Sequence, residues 1–302
     1  MSPIATQELL QTASKAGIVV PSFNIPYLPM MVPVVHALRD ARAFGLIAVA
    51  RLEWRKFEAR SMRAVCDEYQ RVKDERYTRL HLDHVPVIDE DGLRVDYERT
   101  LTEAVQLGYE SVMIDGSRLP LEENITATKR VVDMAHAAGV PVEAELGAVL
   151  GHEEGPMPPY EELFASGRGF TDPDEARRFV QETGADWLSV AVGSVHGAIS
   201  AAKKHEKKIA ARLNIEQLAK IRQATNVPLV LHGGSGIPKK YILDAIKNGI
   251  AKINIGTAIR QPYQALREQS IEKARQAVYD ATQEIIHDEL NIEGSAQIIN
   301  PI

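Results

Sequence analysis

The sequence predicts a (β/α)8 barrel of the TIM type with a helical extension at its C-terminal end. Two observations carry that expectation. Short runs rich in β-branched residues alternate with longer segments of helical periodicity, and there are eight such runs. The runs are also almost continuously apolar, as strands are when both faces of a parallel sheet are covered. A doubly wound open sheet is the other architecture compatible with the alternation.

The predicted strands, in order, are Gly17–Phe23, Gly45–Ala50, Arg79–Asp83, Ser111–Asp115, Pro141–Glu145, Trp187–Val192, Pro228–Leu231 and Ala251–Ile255. Between them, apolar residues at helical spacing predict helices over Leu28–Ala43, Arg55–Lys73, Tyr97–Leu107, Glu122–Ala138, Asp174–Thr183, Ile215–Ala224 and Lys239–Asn248. Asp172-Pro173 is a helix-start signal. Gly139, Gly184 and Gly249 each follow a helix and precede a strand, the place for a helix-stopping glycine. Gln264–Leu290 reads as one long helix or two, covering the barrel or meeting another subunit. Gly147–Gly169 is the longest irregular stretch, either a lid over the strand ends or a passive surface loop.

No repeat, low-complexity stretch or linker divides the chain, so residues 1–302 are expected to form a single domain. With 45% hydrophobic and 25% charged residues there is ample material for a large core. The net charge of -6 speaks against a nucleic-acid partner. Lys203, Lys204, Lys207 and Lys208 are mixed with Glu206 and read as a solvated face. Cys66 is the single cysteine, which excludes an intrachain disulfide and a cysteine-ligated metal. Met1–Ser14 lacks the pattern of a secretion signal, and no apolar run approaches the ~18 residues needed to span a bilayer. A cytoplasmic protein with no membrane partner is expected.

A barrel carries its chemistry at the C-terminal ends of its strands. Polar residues collect there: Asp83 and His84 after strand three, Asp115 after strand four, Glu143 and Glu145 on strand five, His196 after strand six, His232 after strand seven, and Asn254 on strand eight. A lone buried histidine is ordinarily a hydrogen-bonded core residue, but three at neighbouring strand ends make a metal site. Neutral imidazoles suit Zn²⁺ and leave a position open for Lewis-acid catalysis. His81 shares the strand face of Asp83 and reads as a supporting partner or a core residue. The turn Gly233-Gly234-Ser235-Gly236 lies beside Asn254-Ile255-Gly256-Thr257. Backbone N–H groups there could take a phosphate, although a glycine turn can serve tight packing alone.

These pieces resemble the class II, zinc-dependent fructose-bisphosphate and tagatose-bisphosphate aldolase family. The similarity runs in order through Ser22-Phe23-Asn24, Leu82-Asp83-His84, Ser111–Ser117, Leu119–Ile125, Val142–Gly147, Val195-His196-Gly197, Leu231–Gly236 and Lys252-Ile253-Asn254. The resemblance implies that His84, His196 and His232 bind the catalytic Zn²⁺, with Asp115 and Glu145 able to hold a second divalent ion. It implies that Asp83 exchanges the proton of the C4 hydroxyl and Glu153 that of the enolisable carbon. Glu153 could also be an exposed loop carboxylate beside Glu154. Asn24, Gly197, Gly233, Ser235, Asn254, Gly256 and Thr257 fall on the substrate and phosphate-binding positions, near which a Na⁺ or K⁺ ion is expected. The implied reaction is reversible retro-aldol cleavage of a phosphorylated ketose to dihydroxyacetone phosphate and an aldehyde through a Zn-stabilised enediolate. A homodimer or homotetramer is also implied.

The chain departs from the family where the sugar is recognised. The usual serine after the second strand is replaced near Arg51, about nine residues are added between His84 and Ser111, and Gly256 and Ala258 replace acidic residues. Arg260 matches an arginine that meets a distal phosphate. Arg51 and Arg260 could both face an anionic aldehyde end, or Arg51 could face solvent. Two alternatives keep the site and change its use: a Zn-dependent epimerase or other enolising enzyme, and a non-catalytic sugar-phosphate-binding descendant.

Overall fold

The computed structural model describes residues 4–147, 160–194, 211–234 and 237–301. Eight parallel strands close into a barrel in sequence order: β1 (Val20–Asn24), β2 (Gly45–Ala50), β3 (Thr78–Pro86), β4 (Ser111–Asp115), β5 (Val142–Leu146), β6 (Trp187–Val190), β7 (Leu229–Leu231) and β8 (Ile250–Ile255). Closure is made by β1 on β8, with Ser22 opposite Asn254. The strands are almost wholly buried, which is why the apolar runs showed no alternation.

The helices stand around this barrel. α2 (Met31–Asp40), α5 (Tyr97–Leu107), α6 (Leu121–His136), α8 (Pro173–Thr183), α9 (Ile215–Thr225) and α10 (Lys239–Lys247) fall where periodicity places them. Asp96, Asp172 and Asn214 cap the first turns of α5, α8 and α9 through their side-chain oxygens. The predicted helical extension is two helices, α11 (Thr257–Leu266) and α12 (Ile271–Glu284). Ser270 caps the second, and the last turn runs on as a π-helix over Ile285–Glu289. No helix among the described residues is long and apolar enough to cross a membrane.

Two expectations needed correction. The helix expected over Arg55–Lys73 is broken into α3 (Arg51–Lys56) and α4 (Met62–Val72). Backbone N–H groups of Phe57 and Ala59 both return to the Glu53 carbonyl, Arg60 takes a left-handed φ of 69°, and Ser61 caps α4 by accepting from Ala64 N. The stretch expected to be irregular over Gly147–Gly169 contains α7 (Tyr160–Ser166). The sequence reading assigned no element to the N-terminal segment, which forms α1 (Thr6–Ala16), whose Leu9, Leu10 and Ala13 close the N-terminal end of the barrel. They pack with Phe44, Leu46 and Trp187, and with Ala296 and Ile299 of α13 (Ala296–Ile299). Beneath that plug Arg79 is buried, donating to the Ile4, Glu75 and Thr78 carbonyls and pairing with Glu110.

Candidate metal centre and active site

The C-terminal rim is built on an irregularity in β3. The register between β3 and β4 slips between Leu82 and Val85, and His84 adopts a φ of 33°. In a regular strand neighbours point to opposite faces. The bulge lets Asp83 and His84, adjacent in sequence, both turn into the site. A positive φ in a non-glycine residue costs about 1–3 kcal/mol and persists only where its surroundings hold it.

His84 Nδ1 lies 3.3 Å from Asp115 Oδ2 and 3.8 Å from Glu145 Oε2. Its ring meets that of His232 edge-on, with centroids 4.4 Å apart. Burial alone would lower the pKa of His84, but Asp83, Asp115 and Glu145 outweigh it and push it up to about 10. His232 Nε2 is 2.9 Å from Glu143 Oε1, while its Nδ1 faces Glu145 Oε2 at 3.3 Å. Glu143 thereby holds the Nε2 proton and leaves the Nδ1 lone pair directed into the site. The Asp115 carboxylate is fixed by Ser117, through N at 3.0 Å and Oγ at 2.6 Å. Asn124 Nδ2 donates to the Glu145 carbonyl and sets the end of β5. It lies so close over Gly116 that a Cβ there would stand 2.0 Å from Asn124 Oδ1.

The donor set fits a divalent ion. His232 Nδ1 and Glu145 Oε2 are buried, face each other, and make no hydrogen bond among the described residues. Buried polar atoms are normally paired, and two that converge without a bond are what a cation between them would satisfy. Ligand atoms of Asp83, His84 and His232 converge, as do those of His84, Asp115 and Glu145. His196 and Glu153 lie outside the described residues, as do Gly197, Ser235 and Gly236.

Beneath the histidines is a polar layer inside the barrel. Lys252 is fully buried, with Nζ 2.8 Å from Glu143 Oε2, 2.7 Å from Asn254 Oδ1 and 3.9 Å from Asp83 Oδ1. Burial opposes ionisation of Glu143, but Lys252 and His232 hold its carboxyl down at about 2. His81 bonds Ser111 Oγ through Nδ1, and its Nε2 stands 3.7 Å from Asp83 and 3.6 Å from Glu143. Burial lowers the His81 pKa, as expected of a supporting neutral imidazole.

Asp83 is held from both sides. Asn24 Nδ2 donates to Oδ2 at 2.9 Å and Asn254 Nδ2 to Oδ1 at 2.8 Å. Burial disfavours the charge, but His84, His81 and Lys252 hold Asp83 well below the usual carboxylate range. A carboxylate oriented in this way can accept a proton from a bound hydroxyl.

Such a centre, on a barrel with these strand ends, has known counterparts. Residues 4–297 match the model of the class-II fructose-bisphosphate aldolases. The chain belongs to the class-II fructose-bisphosphate aldolase family. Its structure is similar to that of the YdjI aldolase from Escherichia coli K12, with 29% identity and a TM-score of 0.74 over 97% of this chain and 99% of that one. It is also similar to a protein from Coccidioides immitis proposed to be a fructose-1,6-biphosphate aldolase, with 25% identity and a TM-score of 0.76 over 97% and 98%. A fructose-bisphosphate aldolase from Campylobacter jejuni shares the fold, at 18% identity and a TM-score of 0.72 over 96% of each chain.

The remaining residues of this aldolase-family rim divide by position. Gly233, with a φ of 67°, follows His232, and Gly256 and Thr257 open α11. Arg260 is partly buried, over the Phe57 ring at 5.2 Å and donating to Gln264. Arg51 neither faces open solvent nor stands free: its NH1 is 3.4 Å from Asp89 Oδ2. Asp89 belongs to the segment after β3, a turn in which Asp89 Oδ1 accepts from Asp91 N and Leu93 N. Lys56 pairs with Glu90 and Arg118 donates to the Asp89 carbonyl, so that segment is tied to the ends of β2 and β4.

Near the site, two buried charged residues escaped sequence reasoning. Lys252 sits in an apolar strand covered on both faces, where a charge implies a buried partner, and that signal was available. Glu53 lies in α3, with Oε2 accepting from Ala50 N at 2.8 Å. Burial, with Asp83 adding to it, pushes its carboxyl up to about 8. Alanine at the helix start hides the capping pattern that would have marked it.

Proposed function

We propose that this chain cleaves a phosphorylated ketose to dihydroxyacetone phosphate and an aldehyde, and runs the reverse condensation. The observation that carries the reading is the pair of buried, converging and unbonded atoms, His232 Nδ1 and Glu145 Oε2, beside His84 and an Asp83 carboxylate held by two amides. His84 and His232, with His196, would hold a Zn²⁺ ion. Asp115 and Glu145 could take a second divalent ion. The bound ion supplies Lewis acidity to the oxygens flanking the bond that breaks.

The protein's own groups then move protons. Asp83 takes the C4 hydroxyl proton, the C3–C4 bond breaks as C4 becomes a carbonyl, and the electron pair left on C3 is protonated by Glu153. His84, His81 and Lys252 keep Asp83 ionised, and Asn24 and Asn254 aim it. Gly233, Ser235 and Gly197, with the N–H groups opening α11 at Gly256 and Thr257, would supply the cradle for the ketone-side phosphate, where a monovalent cation could share the charge. Arg260, and Arg51 once released from Asp89, would face an anionic aldehyde end. The site requires no nucleic acid or membrane. We place the protein in the cytoplasm as a single-domain homodimer or homotetramer.

The test is zinc content by atomic absorption together with a screen of ketose phosphates for release of dihydroxyacetone phosphate. Bound zinc, turnover of at least one ketose, and loss of turnover in Asp83→Asn with zinc retained are expected. Failure to bind metal would refute the reading. Proton exchange into dihydroxyacetone phosphate without any aldol product would replace it with an enolising enzyme.

A further inference from the structure

Residues 148–159 carry Glu153, and residues 195–210 carry His196. The chain ends that flank these two segments meet at two buried hydroxyl groups. Thr171 joins the ends that leave the barrel. Its Oγ1 donates to the Leu146 carbonyl at 2.5 Å and accepts from Ala191 N at 2.9 Å, tying the end of β5 to the residue after β6. Tyr160, the first residue of α7, joins the rest. Its hydroxyl accepts from Arg212 N at 2.6 Å and lies 3.0 Å from both the Gly193 and the Arg212 carbonyl oxygens, which share its one proton. Asn214 N donates to the Val192 carbonyl at 2.8 Å and closes the same base. The approach is tight: Gly193 has a φ of 110°, and a Cβ there would stand 2.5 Å from the Arg212 carbonyl oxygen and 2.8 Å from the Phe164 ring. Arg212 lies over that ring at 4.7 Å and pairs with Glu161, so three residues of α7 grip this point.

We propose that Tyr160 is a positioning residue, whose hydroxyl binds the Glu153 and His196 segments into one mechanical unit, so that the acid and the metal ligand are placed together. A group carried on a long segment is held no more firmly than the ends of that segment, and catalytic geometry tolerates errors of only about 0.5 Å. A phenylalanine would fill the same space, but it would leave the Arg212 N–H and two carbonyls without their shared partner. The roles of His196 and Glu153 rest on the aldolase reading; the hydroxyl geometry does not. Coupling of this kind is reciprocal, so an ion held by His196 must be felt at α7, which supplies no ligand.

The experiment is Tyr160→Phe, which keeps the ring and removes the bridging oxygen. Zinc affinity, measured by competition with a chelating dye, should weaken roughly 10-fold, as when a group supporting a metal ligand is lost. In a His196→Ala background the same substitution should change zinc affinity by less than about twofold, because the effect runs through that ligand. At saturating zinc, kcat should still fall roughly 10-fold with KM changed by less than about threefold, because Glu153 is placed by the same hydroxyl. Zinc loading should slow amide exchange across α7 in the parent and leave it unchanged in Tyr160→Phe. A hydroxyl that only stabilises the fold would lower the melting temperature and leave zinc affinity and the α7 response alone. Unchanged zinc affinity, an equal loss in the His196→Ala background, an unchanged kcat in an active parent, or α7 exchange that ignores zinc in the parent each overturns the proposal. The last measurement needs no variant, so it decides even where Tyr160→Phe does not fold. Zinc bound without turnover of any ketose defeats the aldolase reading and leaves the tie between Tyr160 and the metal to be judged by affinity and exchange; a parent that binds no zinc defeats both.

Discussion

Replacing Lys252 with methionine removes the cation at the centre of the barrel's polar layer while nearly keeping its volume. Its Nζ lies 2.8 Å from Glu143 and 3.9 Å from Asp83, with no exposure to solvent. Removing one partner of a buried ion pair costs about 3–5 kcal/mol, because the other charge is left uncompensated. The Glu143 pKa gives a second route to the same size. Its depression from 4.5 to about 2 corresponds to about 3 kcal/mol of stability above pH 4.5, at 1.36 kcal/mol per unit. In the parent that contribution is lost progressively as pH falls from 4.5 to about 2. In Lys252→Met, burial dominates and Glu143 titrates above its ordinary value, so the folded variant binds a proton that the unfolded chain releases. Its stability therefore falls as pH rises. Urea unfolding of chelator-treated protein, followed by Trp54 and Trp187 fluorescence, should show a deficit of about 3–5 kcal/mol at pH 7.5. The deficit should be smaller at pH 5. A deficit below about 1 kcal/mol, the ordinary effect of a point substitution, or one that grows on acidification, would refute the reasoning.

Two further outcomes are expected. The Glu53 carboxyl, raised from 4.5 to about 8, keeps its proton in the folded state while the unfolded chain ionises, so its contribution is full below pH 4.5 and is lost as pH rises toward 8. The parent should lose up to roughly 5 kcal/mol over that window relative to Glu53→Gln, and parallel thermal-melt profiles for the two proteins would disprove it. Asp89→Ala removes the acceptor for Asp91 N and Leu93 N and the partner of Arg51. It should cost about 1–3 kcal/mol and speed amide exchange at Leu93; unchanged exchange there would show that the side chain does not hold the turn.

The strands could be read from composition because each is buried on both faces, so runs such as Gly45–Ala50 and Ser111–Asp115 carry their own boundaries. The positions of Asp83, His84, Asp115, Glu145 and His232 followed, since strand ends fix where these side chains emerge. Local caps hid other features. Ser61 and the left-handed Arg60 break a helical pattern whose periodicity runs straight through them. The plug formed by Leu9, Leu10 and Ala13 depends on Trp187 and Ile299, far along the chain. The engagement of Arg51 by Asp89 likewise joins positions far apart in the sequence, which no local pattern reports.

The bulge at Asp83-His84 has a consequence for how such a barrel can change. One backbone irregularity delivers both the proposed proton acceptor and a proposed metal ligand, so neither can be retuned alone: any shift that moves one drags the other. Deleting a single residue there would let β3 pair regularly with β4 and relieve the left-handed backbone, giving a barrel that folds more readily and catalyses nothing. Selection for stability alone would therefore act against this site first.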